Sequence, residues 1–128
     1  MKNASLLILS LSLTAGYATL HSQDAPENQP DLVLAAKDAP PVGDDVYRGV
    51  RKQSLKLRTE GAKKVSYTVG LQNDGSLADE IRLRGTGSDR KFRVQYKIGD
   101  ENVTGRVVRG TTVALEAGEA RRIQTTVQ

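Results

Sequence analysis

KVSYTVGLQNDGSLADEIRLRGTG, residues 64–87, decides how the chain is read. Val65, Tyr67, Val69 and Leu71 alternate with Ser66, Thr68, Gly70 and Gln72. The alternation stops at Asn73-Asp74-Gly75 and resumes with Ile81 and Leu83 set against Arg82 and Arg84. A period of two sends successive side chains to opposite faces of a strand, so each segment predicts a strand with one apolar and one wet face. Asn and Asp bond their own nearby backbone and Gly accepts positive φ, so Asn73-Asp74-Gly75 predicts the corner between the two strands.

The same rhythm runs outward in both directions. Leu55 and Leu57 alternate with Ser54, Lys56 and Arg58; Phe92, Val94, Tyr96 and Ile98 alternate with Arg93, Gln95 and Lys97. DLVLAA (31–36), RVV (106–108), TVAL (112–115) and RIQTTV (122–127) read as further strands. Turn chemistry separates them: DAPPVGDDVYRG (38–49), EGAKK (60–64), GTGSD (85–89), GDEN (99–102), RG (109–110) and EAG (116–118). Short alternating strands at this spacing predict an all-β, antiparallel sandwich of about seven strands. The expected core is Val65, Tyr67, Val69, Leu71, Ile81, Leu83, Phe92, Val94, Tyr96, Ile98, Val113, Leu115, Ile123 and Val127. A one-residue slip would turn arginines inward, so register is strongly specified.

The start of the chain reads differently. Lys2 and the amino terminus precede an apolar run from Ala4 to Gly16, and small residues follow at Gly16 and Ala18. That is the layout of a secretory signal peptide, predicted as a helix over residues 1–18 with cleavage as late as residue 22. The run is shorter than the ~20 residues that span a bilayer, so no membrane span is expected after cleavage. QDAPENQP (23–30) is polar and proline-bearing. Residues 19–30 are expected as a flexible linker, and 31–128 as the domain. Export to the periplasm, the cell surface or the exterior follows.

The 128 residues include no cysteine. A disulfide framework, a thiol nucleophile, a thiolate metal site and a lipoprotein anchor are thereby excluded. Net charge is +4, mild attraction for anionic polymers. Phe92 and four tyrosines are too few for a single-stranded nucleic-acid platform, so no nucleic acid is expected. His21, the only histidine, falls at the leader boundary, and the acidic residues fall at turns, loops and strand ends. No acid–base constellation stands out, so catalysis is not expected and no cofactor is implied.

Three acidic turns invite a calcium reading, because hard cations take oxygen ligands. They are Asn73-Asp74-Gly75 with Asp79 and Glu80, Gly43-Asp44-Asp45, and Gly99-Asp100-Glu101-Asn102. None matches a twelve-residue calcium loop, and turn chemistry alone accounts for each, so no metal site is assigned from sequence. Gly85-x-Gly87 lacks the rest of a phosphate-binding signature and reads as strand-closing glycine. Asn102-Val103-Thr104 is a formal glycosylation sequon, read as incidental. The candidate ligand surface is basic. Lys56, Arg58, Arg82, Arg84, Arg93 and Lys97 all take outward positions, and on one sheet they would form a cationic face for an anionic polysaccharide. The plainer reading is a solvated face that resists aggregation.

The ordered series YTVGLQNDGSLADEIRLRGTG, FRVQYKIG, VT and ALEAGEARRIQTTVQ, with VGDDVYRG upstream, carries a resemblance. It resembles an immunoglobulin-like module of bacterial secreted and cell-surface proteins. The series is similar to the cell-adhesion-related domain of bacteria and to the sandwich module appended to bacterial alpha-galactosidases. The resemblance covers about residues 31–128. It implies a non-catalytic sandwich with a structural, adhesive or spacing role, and no active site transfers with it. Modules of this kind continue past the strand matching 120–127 with a Pro-Gly turn and a final strand. Two alternatives follow: a domain cut short of that strand, or an open edge at 120–127, for which Arg121, Arg122, Thr125 and Thr126 would serve as protection. The function expected is thus an exported structural, adhesive or spacer domain, with a glycan- or anionic-polymer-binding module as the alternative. An anionic polysaccharide or another envelope protein is the expected partner.

Overall fold

The computed structural model describes residues 5–7, 12–14, 26–37, 39–47, 54–60 and 63–128. Most of the leader, the cleavage region with His21, and residues 48–49 and 61–62 of two expected turns lie outside the described residues. Of the expected leader helix only Ser5–Leu7 (β1) and Ser12–Thr14 (β2) are described, and both are extended.

The strands that follow are Pro30–Ala36 (β3), Ala39–Val42 (β4), Leu57–Thr59 (β5), Val65–Asn73 (β6) and Asp79–Arg84 (β7). Val94–Ile98 (β8) and Glu101–Asn102 (β9) come next, then the helix Thr104–Arg109 (α1), Thr111–Leu115 (β10) and Ala120–Val127 (β11). All pairings are antiparallel. The large sheet has the order β4-β3-β6-β11-β8-β9; a smaller one has the order β10-β7-β2; β1 and β5 form a pair. The chain is therefore all-β and sandwich-like. It crosses from the large to the small sheet at the 73–79 corner, returns at β8, crosses again through α1 to β10, and returns at β11.

Alternation explains which faces meet. Tyr67, Val69, Leu71 and Asn73 of β6 are buried, as are Ile81 and Leu83 of β7, Val94 and Tyr96 of β8, Val113 and Leu115 of β10, and Ile123 and Val127 of β11. Burying each large apolar side chain contributes roughly 1.5–3 kcal/mol. Phe92 and Ile98, expected in the core, pack half-buried at its rim, and Val65 is also half-buried. Leu32, Leu34, Val103 and Val107 complete the core.

Two expectations are corrected. RVV (106–108) is not a strand but belongs to α1. Val103 and Val107 lie one helical turn apart, both buried, and the Val107 amide donates to the Val103 carbonyl at 3.0 Å. Gly110, at φ 94°, ends the helix in a conformation that favours glycine. The segment 120–127 is not an open edge along its length: β6 pairs all of it on one side, and β8 pairs residues 124–127 on the other. Both flanking strands bring complementary backbone groups, and the sheet ends elsewhere. At one end β4 carries Pro40 and Pro41, which cannot donate to a further strand. At the other, β9 is two residues long. Among the described residues no helix is long and apolar enough to cross a membrane.

Candidate functional site

Asn73, at the end of β6, is fully buried and organises the corner. Its Nδ2 donates to the carbonyls of Leu77 at 2.8 Å and of Leu115 and Glu116 at 3.2 Å each. Its Oδ1 accepts from the Gly75 amide at 3.0 Å. The Asn73 main chain bonds the β10–β11 turn, accepting from Gly118 and donating to Glu119. Asn73-Asp74-Gly75 is therefore a turn, as expected, and also a clamp between the two sheets.

The residues before β3, expected as linker, are held against this corner. The amides of Asp74, Ser76 and Leu77 donate to the carbonyls of Gln29, Pro26 and Glu27. A side chain at position 75 would put its Cβ 2.4 Å from the Glu27 carbonyl oxygen, so the close backbone approach requires glycine.

Beside the corner the fold gathers carboxylates from distant stretches of sequence. Asp31 is the second residue of β3, opposite Gln72. Leu32 and Leu34 point into the core, so Asp31 takes the outer face of the sheet. It is nevertheless 0% exposed, while Asp44 and Asp45 of the loop after β4 are exposed. Gly43 has φ 104° and Asp45 φ 56°, and the Val46 amide closes the turn on the Gly43 carbonyl. Asp tolerates the left-handed conformation better than most residues. The Asp45 amide donates to Asp31 Oδ2 at 2.9 Å. Among the described residues Asp31 Oδ1 has no hydrogen-bond partner. One carboxylate oxygen from each of Asp31, Asp44 and Asp45 lies within 4.8 Å of the other two.

Asp74 of the corner joins them through Tyr47. The Tyr47 hydroxyl lies 2.7 Å from Asp74 Oδ2 and 3.0 Å from Asp45 Oδ1, with one proton to donate between them. Burial raises the Asp31 carboxyl above its ordinary range, with the charges of Asp74 and Asp44 adding to it; the amides of Asp45 and Leu32 oppose the shift. The hydrogen bond to Asp74, with burial and the Asp45 contact behind it, holds the Tyr47 hydroxyl protonated far above its ordinary range. Two of the three acidic turns singled out from sequence thus meet in one carboxylate cluster. Asp31, which completes it, was hidden in sequence as the polar opener of an apolar strand. Asp79 caps the neighbouring Glu80 amide. At the third acidic turn, Gly99 takes φ 56°, Glu101 pairs with Arg106, and Asn102 Oδ1 accepts from the Thr104 amide.

The six basic residues are not on one sheet. Arg82 and Arg84 stand exposed on β7 of the small sheet; Lys97 is on β8 of the large sheet, with Arg93 just before it; Arg58 is on β5 and Lys56 just before it. The structure brings Arg82 and Arg84 together and distributes the rest. Gly85, considered as part of a phosphate loop, serves packing: a Cβ there would lie 2.5 Å from the Tyr96 hydroxyl. That hydroxyl donates to the Thr86 carbonyl at 2.9 Å.

Comparison with known proteins gives no match to a family model, to a curated protein or to a solved structure.

Proposed function

We propose that the chain is an exported, non-catalytic, immunoglobulin-like β-sandwich that serves as a structural, adhesive or spacer domain of the bacterial envelope or exterior. The observation that carries this reading is the contrast between sheet edges. The large sheet ends in proline-bearing β4 and in two-residue β9, both poor templates for another chain. In the small sheet, one edge of β7 is covered only by the three residues Ser12–Thr14, which face Arg84, Leu83 and Arg82 in register. Those three residues belong to the segment read as leader. Its removal opens the β7 backbone, while Ile81 and Leu83 keep that strand anchored in the core at 1% exposure each. An anchored strand with an open edge takes an extended segment from a neighbour by main-chain pairing, and this is a physical route to adhesion or assembly.

Expression of the full chain in a bacterial host, with a photo-crosslinking residue in place of Arg84, tests the proposal. The expected result is an exported chain whose N-terminus lies between residues 19 and 23, cross-linked to a neighbouring envelope protein. Retention of an uncut chain in the cytoplasm contradicts it. Cross-linking to polysaccharide alone supports the polymer-binding alternative instead.

A further inference from the structure

We infer that Asp31, Asp44 and Asp45 form a calcium site, with Asp74 as a further ligand kept in reach by Tyr47. The ion would staple the Gly43–Tyr47 loop and the Asn73 corner to the start of β3. This goes beyond the structural role proposed above and does not depend on it.

The first support is span. Calcium binds oxygens at ~2.3–2.6 Å, so two ligands on one ion stand at most ~5 Å apart. The oxygens of Asp31, Asp44 and Asp45 fall within 4.8 Å of one another.

The second support is independent of the clustering. Asp31 is 0% exposed, and among the described residues its Oδ1 has no hydrogen-bond partner. A buried carboxylate oxygen left without a donor is costly, and buried charges are paired or coordinate metals. The Asp45 amide orients the Asp31 group through Oδ2 at 2.9 Å, leaving Oδ1 as the atom without a partner.

The chemistry of the donors selects the ion. Every group here is a carboxylate, and the chain has no cysteine. Its only histidine, His21, lies outside the described residues. An all-oxygen set suits hard cations and disfavours zinc and copper. Ligands from three separate segments form an irregular cage, which fits flexible six- to eight-fold calcium better than octahedral magnesium. Tyr47 places its proton between Asp45 Oδ1 and Asp74 Oδ2. That contact draws Asp74 to the trio without occupying Asp45 Oδ2 or Asp74 Oδ1.

The test uses the full chain, stripped with EDTA and titrated with calcium chloride at constant ionic strength. Calorimetry is expected to give a Kd of roughly 10⁻⁴–10⁻³ M, the range of extracellular calcium modules. The melting temperature is expected to rise by several degrees at calcium well above that Kd, and by less in magnesium. Asp31→Asn, which keeps an acceptor for the Asp45 amide, weakens binding at least tenfold. Asp44→Asn does the same from an exposed position where folding is not at stake, and Asp89→Asn leaves binding unchanged. Terbium luminescence excited through tyrosine gives a second readout: it rises on loading, is displaced by calcium, and falls in Tyr47→Phe. Absence of heat and of any melting shift overturns the inference. So does a calcium response that Asp31→Asn and Asp44→Asn both retain in full.

Discussion

The Asn73 side-chain amide stands 3.2 Å from the carbonyl of Leu115, 42 residues further along the chain. The bond joins the last residue of β6 to the last residue of β10, and so joins the large sheet to the small one. Asn73→Ala removes this bond, its companions to Leu77 and Glu116, and the acceptor of the Gly75 amide. Each net bond is worth about 1 kcal/mol, and an orphaned buried group costs ~1–3 kcal/mol. Urea unfolding is expected to show a loss of about 2–4 kcal/mol. A loss below about 1 kcal/mol would show that the corner is not the clamp described.

Among the described residues two tyrosines, Tyr67 and Tyr96, are buried, and they give opposite expectations. The Tyr96 hydroxyl has a defined acceptor in the Thr86 carbonyl. Among the described residues Tyr67 Oη, opposite Thr125 across the β6–β11 pair, makes no hydrogen bond of acceptable geometry, and neither does Thr125 Oγ1. Tyr96→Phe is expected to cost about 1 kcal/mol, whereas Tyr67→Phe is neutral or stabilising. Gly85→Ala, which drives a methyl against Tyr96, costs roughly 1–3 kcal/mol. Thermal and urea melts of the three variants check the order.

Asp31 predicts the sign of a stability change in chelator. Its buried, half-satisfied carboxylate destabilises the metal-free fold, and an amide of the same shape carries no charge to desolvate. In EDTA at neutral pH, Asp31→Asn is expected to raise stability by about 1 kcal/mol. A large loss in EDTA would show instead that the carboxylate is well satisfied.

Asp89 predicts a pH dependence. Its Oδ1 accepts from the amides of Lys91 and Phe92 at 2.7 and 2.8 Å, which holds the carboxyl below its ordinary value of 3.8. A group whose pKa is lower in the folded state stabilises above its unfolded value and loses that contribution as pH falls through the folded one. Asp89→Ala is expected to melt a few degrees below the parent at neutral pH, with the gap closing only below about pH 4. A gap unchanged down to pH 2 contradicts the assignment.

Much of the fold was legible in the sequence because strand alternation is local. The inward set of β6, Tyr67, Val69 and Leu71, and that of β7, Ile81 and Leu83, could be read residue by residue. The helix α1 was not legible: six residues with valines at 107 and 108, preceded by Val103, give neither a helical stripe nor a clean alternation. The buried apolar pair Leu32 and Leu34 was readable as strand, but Asp31 beside it was not readable as buried. Asp31 meets the Gly43–Tyr47 loop through the Asp45 amide, and that contact is a tertiary event. The acidic cluster was missed for the same reason. Gly43-Asp44-Asp45 and Asn73-Asp74-Gly75 each look like sufficient turns alone, and only their meeting around Asp31 makes a shared oxygen cluster. A common cationic face required the six basic residues to share a sheet, and sheet membership cannot be read from alternation.

The core, the corner and the carboxylate cluster all depend on one register, with Val65–Asn73 antiparallel to Ala120–Val127 and Ser66 facing Thr126. Their hydroxyl oxygens lie 3.3 Å apart. The chain has no native cysteine, so an engineered pair reports this register without interference. Directly opposed residues have Cα atoms ~4.5–5.5 Å apart, within disulfide reach, whereas diagonal ones at ~7–8 Å are not. Ser66→Cys with Thr126→Cys is expected to form an intramolecular disulfide under mild oxidation and to raise the melting temperature, while Ser66→Cys with Gln124→Cys stays reduced. Disulfide formation in the 66–124 pair and not in the 66–126 pair would contradict the account.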